Sequence, residues 1–244
     1  MPSDSRYAGA PVLILFGSPG SGKGTQAKLL RHSLQMPHIS TGDMLRTHIA
    51  AGDDIGKRAE SLIKAGRLVP DELVNELVKQ RIGAPDTVSG MILDGYPRTL
   101  NQAGVLLKML EPYGFRPAVI HLVVDYEKIV ARLSGRRLCP VCGTLYSLTT
   151  NPPKVAGTCD LDGAKLVTRE DDREVVIRER LREYDSQTLP ILSFFREAGV
   201  RMIDVGAADE TPEQIVTKLW RELTEAGLIT GAVPELGVAP SGPK

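Results

Sequence analysis

The chain lacks a net charge: thirty Lys and Arg face thirty Asp and Glu. A polyanion such as nucleic acid therefore finds no bulk attraction, and any anion site must be assembled locally from particular arginines. Long apolar runs are missing too. No stretch approaches the roughly 20 apolar residues that cross a bilayer. Residues 1–10 carry neither the apolar run of a secretory signal nor the cations of a transit peptide, Arg6 being the one basic side chain there. Cysteine is scarce, with three residues confined to one window, which argues against a secreted disulfide framework. Aromatics make up 5%, with a single Trp. These absences point to the cytoplasm, with no nucleic acid and no membrane as partner. A monomer is expected, because no apolar surplus beyond a core is evident.

What is present is an alternation. Short, continuously apolar runs alternate with segments of helical period, the pattern of a parallel sheet covered by helices on both faces. Strands are expected at 12–16, 91–93, 118–124 and 200–205, with a short one at 38–39. Helices are expected at 21–32, after Pro70-Asp71, and at 102–110, 126–133, 175–184 and 212–225. Asp171 followed by Glu174 reads as a cap for the helix that carries Arg178, Arg180 and Arg182. A helical insertion is expected at 41–69. Residues 138–167 are rich in Gly, Pro, Thr and Cys and have no helical period. The tail, rich in Gly, Pro and Ala, is expected to be disordered, as are residues 1–10.

The chemistry begins after the first strand. Gly17-Ser18-Pro19-Gly20-Ser21-Gly22-Lys23-Gly24-Thr25 sits between a strand and a helix, the context a phosphate-binding loop requires. Its glycines let successive backbone N–H groups converge on phosphate oxygens, and the helix aims its positive end at the same place. Lys23 adds a point charge for the β and γ phosphates. Gly24 follows the lysine, so the hydroxyl arrives one position later than in the general motif, at Thr25. Asp94, at the end of an apolar strand, is therefore expected to anchor Mg²⁺, through water or directly. The next residue is Gly95, not a glutamate that could activate water. Transfer to an acceptor is expected over hydrolysis.

The phosphate loop, Ser40-Thr41-Gly42-Asp43-Met44-Leu45-Arg46, and Leu93-Asp94-Gly95-Tyr96-Pro97-Arg98-Thr99 together resemble the adenylate kinases in order and spacing. The similarity runs from about Pro11 to Leu228. It implies a three-layer P-loop α/β fold with a five-stranded parallel sheet, and a core of 11–39, 70–134 and 173–228. An AMP-binding insertion at 40–69 and a zinc-binding lid at 135–172 would complete it, with the tail starting at 229. It also implies ATP, AMP and ADP as partners in a reversible Mg²⁺-dependent phosphoryl transfer that balances the adenine nucleotides.

By the same resemblance, Lys23, Arg98, Arg136, Arg169 and Arg180 are the catalytic residues. ATP would meet Gly20, Ser21, Gly22, Lys23, Gly24, Thr25, Arg132, Arg136, Leu145, Tyr146 and Ala208. AMP would meet Thr41, Arg46, Arg67, Leu68, Val69, Gly95, Tyr96, Pro97, Arg98, Gln102, Arg169 and Arg180. The physical reading agrees. An AMP phosphate is already an anionic nucleophile, so catalysis reduces to in-line positioning and neutralisation of charge, a task for planar, permanently charged arginines.

Cys139-Pro140-Val141-Cys142 is followed, after sixteen intervening residues, by Cys159-Asp160-Leu161-Asp162. Two such hooks can close a tetrahedral zinc site, with Asp162 standing where a fourth cysteine would usually be. A group of adenylate kinases has this Cys-Cys-Cys-Asp arrangement in its lid. A closed ligand set of this kind is structural, expected to stiffen a lid too small to hold its own shape.

Overall fold

The computed structural model describes residues 9–149, 151–207 and 210–233. Five parallel strands form the centre: β1 (Pro11–Phe16), β2 (His38–Ser40), β3 (Met91–Asp94), β4 (Arg116–Val123) and β7 (Arg201–Gly206), in the order β2-β3-β1-β4-β7. A short antiparallel hairpin of β5 (Arg136–Leu138) and β6 (Leu145–Ser147) stands apart. β1 is central, flanked by β3 and β4, so the chain winds outward from it in both directions. Ligands of such sheets bind beyond the carboxyl ends of the strands at this reversal.

The two-residue period of β1 shows how the three layers are built. Val12, Ile14 and Phe16 pack into one apolar cluster, with Leu73, Val78, Leu106, Leu110 and Phe195 from α4 (Asp71–Ile82), α5 (Leu100–Leu110) and α8 (Ile191–Glu197). Leu13 and Leu15 point the other way. They meet Ala27, Leu30, Val216, Leu219 and Leu223 from α1 (Lys23–Leu34) and α9 (Pro212–Glu225). Truncating any of these fully buried leucines to Ala would cost about 2–5 kcal/mol. A smaller cluster joins α6 (Tyr126–Ser134) to α7 (Glu174–Glu183) through Ile129, Leu133, Ile177 and Leu181. Residues 135–172, the segment expected to form a lid, run between these two helices.

Residues 41–69 form two helices, α2 (Thr41–Ala51) and α3 (Asp54–Ala65). Ser40 caps α2 by accepting the Asp43 N–H, and Asp53 caps α3 by accepting the Gly56 N–H at 2.9 Å. Gly56 is there because the helices nearly touch: a Cβ would sit 2.2 Å from the His48 carbonyl.

Three sequence expectations change. Asp171 is not a helix cap. Residues Glu170–Asp172 form a separate 3-10 turn, α7 starts after Arg173, and its N-cap makes no side-chain bond. The reason is electrostatic, since charged guanidinium groups outcompete a backbone N–H for the carboxylate. Helix α8 was not foreseen, because a π-helical turn at Tyr184–Thr188 runs α7 almost directly into it. The start of the tail packs: Ile229 is buried, and the Trp220 indole N–H donates to the Gly231 carbonyl at 3.2 Å. The rest of the two expected disordered ends, 1–8 and 234–244, lies outside the described residues.

Candidate active site

The phosphate loop leaves β1 and bends through three glycines with positive φ, Gly17 (144°), Gly20 (85°) and Gly22 (100°). Gly20 has a second reason to be glycine: a Cβ there would lie 2.8 Å from the Leu133 side chain, so the loop rests directly on α6. Lys23 folds back across the loop, its Nζ donating to the carbonyls of Gly17 (2.5 Å) and Ser18 (2.8 Å). Burial pulls this ammonium down to about 7, against the opposing pull of Asp94. Ser21 is buried and its Oγ has no hydrogen-bond partner.

Asp94 lies beside the loop, with His38 Nε2 at 3.4 Å from its Oδ2. Burial pushes its carboxyl up, but His38 and Lys23 outweigh that, so it sits below the ordinary carboxylate range and is ionised. A Cβ on Gly24 would approach its Oδ2 to 3.4 Å, an ordinary contact, so Gly24 packs next to the carboxylate. The carboxylate is partly exposed to the same cleft as the loop, as a hard-cation ligand must be.

Beyond Asp94 the chain turns through Gly95 (φ 76°) and a cis Tyr96–Pro97 peptide. The Gly95 carbonyl accepts from Thr41 Oγ1 and from Arg98 Nε, both at 2.8 Å. This bond ties α2 to the sheet and aims the Arg98 guanidinium. Gln102 is buried, its oxygen accepting the Arg98 N–H (2.8 Å) and its amide donating to Asp71 (2.7 Å). Thr41, Arg46, Arg67, Leu68, Val69, Gly95, Arg98, Gln102 and Arg180 line one pocket of about 70 Å³ between α2, α3 and the sheet.

A larger cleft of about 1350 Å³ adjoins it. Gly20, Ser21, Gly22, Lys23, Gly24, Thr25, Tyr96, Pro97, Arg132, Arg136, Leu145, Tyr146 and Arg169 line this cleft, together with Asp94. Ala208 lies outside the described residues. Segments 41–69 and 135–172 both line the cleft and touch the core. Lys28 of α1 donates to the Gly143 carbonyl of the lid at 3.3 Å, and Gly66 packs against α7, where a Cβ would meet the Val176 carbonyl at 2.9 Å.

The arginines are held by two buried carboxylates that sequence reading assigned no such part. Asp172, whose side chain is 0% exposed, takes a two-pronged contact from Arg136, with Nε at 2.7 Å, and receives Arg180 Nη1 at 3.3 Å. Asp171 faces Arg180 (3.0 Å) and Arg169 (3.3 Å). Burial pushes Asp171 up, yet Arg180 and Arg169 hold it below its usual range. Burial also lowers Arg169 and Arg180 to about 10, which leaves both fully charged near neutral pH. Arg46 pairs with Asp43. The available signal was the run Arg169-Glu170-Asp171-Asp172-Arg173, whose acids stand between two arginines.

In the lid, Cys139, Cys142, Cys159 and Asp162 present ligand atoms that all lie within 4.8 Å of one another. Cys142 Sγ and Cys159 Sγ are 3.6 Å apart. Two sulfurs about 2.3 Å from a tetrahedral zinc would be separated by roughly 3.8 Å, so the donor set fits that ion in both chemistry and span.

A phosphate loop facing a second, arginine-lined pocket across one cleft defines a P-loop phosphotransferase with a phosphorylated acceptor. The sequence profile of adenylate kinase matches residues 15–200. Adenylate kinase of Anaeromyxobacter sp. (strain K) is 48% identical over 206 residues, covering 84% of this chain and 95% of that protein. Those of Chloroherpeton thalassium (45% over 215 residues, 87% and 96% covered) and Thermosipho melanesiensis (44% over 198 residues, 81% and 92% covered) are similar throughout as well. The chain belongs to the adenylate kinase family. No helix among the described residues is long and apolar enough to cross a membrane.

Proposed function

We propose that this adenylate kinase transfers the terminal phosphoryl group of ATP, held by the phosphate loop, to AMP, held in the smaller pocket, giving two ADP. The observation that carries the reading is the shared wall of the two sites. Arg98 and Arg180 border both the pocket and the cleft that holds Lys23. Cations there meet the transferring group from both ends.

The chain's own residues divide the work. Backbone N–H groups of 20–25 and Lys23 take the β and γ phosphates. Arg46 and Arg98 hold the acceptor phosphate, Thr41 and Gln102 face the acceptor base, and the backbone of 67–69 lines its pocket. Arg136, Arg169 and Arg180 neutralise charge as it spreads over the equatorial oxygens. No general base is required. Asp94 would hold Mg²⁺ through water, and the ion would supply charge neutralisation to the triphosphate. The lid, 135–172, covers the cleft and keeps water, the competing acceptor, away. Its Cys139, Cys142, Cys159 and Asp162 would hold a structural Zn²⁺. The protein acts as a monomer in the cytoplasm.

The experiment is a coupled assay with four triphosphates and four monophosphates, together with ATP consumption measured in the absence of any acceptor. ADP formation that requires AMP is the expected result. ATP loss of equal rate without AMP overturns the reading, and a UMP or CMP preference would reassign the acceptor.

A further inference from the structure

Tyr146 borders the nucleotide cleft, yet its polar end is turned away from it. The ring is closed in with Cys139, Cys159 and Leu166, leaving the residue 5% exposed. Its hydroxyl oxygen accepts the Asp160 N–H at 2.7 Å and lies 3.4 Å from Cys159 Sγ. Between a phenol and a metal-bound thiolate only the phenol has a proton to give, so with the ion in place the hydroxyl is the donor.

The other ligands have outer partners of the same kind. Thr144, two residues earlier and so on the same side of an extended chain, places Oγ1 3.1 Å from Cys142 Sγ. Cys139 Sγ receives the Cys142 N–H at 3.5 Å, and Asp162 receives the Ala164 N–H at 2.9 Å. Cys142, Cys159 and Asp162 therefore each meet a group from a residue outside the cluster, and Cys139 meets the backbone of Cys142. Three thiolates and a carboxylate around a divalent cation carry a net charge of about −2, and hydrogen bonds to the ligand atoms spread that excess.

We propose that Tyr146 is a positioning residue of the lid's metal centre, its hydroxyl donating to the Cys159 thiolate and so tightening the hold on the ion. The proposal rests on the reading that the lid binds a metal. The contact of Cys142 Sγ with Thr144 Oγ1 is its counterpart on the exposed side.

Tyr146→Phe removes the hydroxyl and keeps the ring, so the lid's packing is retained. Zinc affinity is measured for the full-length protein by competition with a chromophoric chelator. The sulfur-to-metal charge-transfer band is recorded with Co²⁺ in place of zinc. Y146F is expected to bind zinc about 10–100-fold more weakly and to shift the Co²⁺ band. Leu166→Ala, which thins the same small core, should leave the band in place. Equal affinity and an unmoved band in Y146F overturn the proposal, as does an L166A shift equal to that of Y146F. Failure of the unsubstituted protein to bind either metal removes the metal reading itself, a result readily told apart from the others.

Discussion

At the scale of single residues, the site crowds like and unlike charges into close quarters. Lys23 is the sharpest case, buried among Arg98, Arg136 and Arg180 with Asp94 as its counter-charge. Its ammonium is pulled down to about 7, so near neutral pH a fraction of the molecules carry the neutral amine. A triphosphate set against Nζ favours the ammonium, and binding must then take up a proton wherever the amine was neutral beforehand. ATP affinity is therefore expected to be flat below about pH 7 and to fall above it, approaching about tenfold per pH unit. Calorimetry at pH 8 in buffers of differing ionisation enthalpy reads the uptake directly, and a heat independent of the buffer contradicts it. Lys23 was legible from sequence because the motif fixes it in a strand–loop–helix context. Asp171 and Asp172 were not. Their pairing with Arg169, Arg136 and Arg180 depends on how residues 167–173 meet α7, and the acidic run between Arg169 and Arg173 marks ion pairing without naming the partners.

Among elements, helices and strands with strong periodicity were readable to within a residue or two. The run Met91-Ile92-Leu93 became β3, and Pro212 became the first residue of α9, capped by Thr211 with Gln214 answering in a reciprocal box. Short elements held by partners distant in sequence were harder. The β5–β6 hairpin has three residues per strand and contributes little period, and α8 was hidden behind the π-helical turn. The seam between α3 and α7 is another feature invisible in one dimension. Gly66 ends α3 with φ at 78° and lies against the Val176 carbonyl. Gly66→Ala adds a strained backbone, about 1–2 kcal/mol, and a methyl group that holds the two surfaces apart. The Michaelis constant for AMP is expected to rise by about tenfold, a change of roughly 1.4 kcal/mol, while that for ATP stays nearly constant. Steady-state kinetics with each substrate varied in turn decides it, and an equal rise in both constants would place the damage in the core instead.

For the whole molecule, stability is divided unevenly. Two large clusters flank the sheet, whereas the lid's own core consists of Cys139, Tyr146, Cys159 and Leu166. Trp220, the single Trp, is buried in the cluster under α1 and α9, so its fluorescence reports the sheet and not the lid. Stripping the protein with a strong chelator is expected to make 135–172 sensitive to protease and to produce an early thermal step in near-ultraviolet dichroism. The later step, followed by Trp220 emission, should keep its midpoint. One transition that moves as a unit would mean that lid and sheet melt together. The reason for expecting two steps lies in the clasp of Ile129 and Leu133 on α6 with Ile177 and Leu181 on α7. Because this clasp closes without any lid residue, the chain leaves the body and returns to it at two fixed, adjacent points. Apart from Arg136, Arg169, Asp171 and Asp172 at its ends, the segment that spans those points packs mainly on its own small core. A change in the length of that inner part, or in Cys139, Cys142, Cys159 and Asp162, is therefore expected to leave the packing of the sheet as it is.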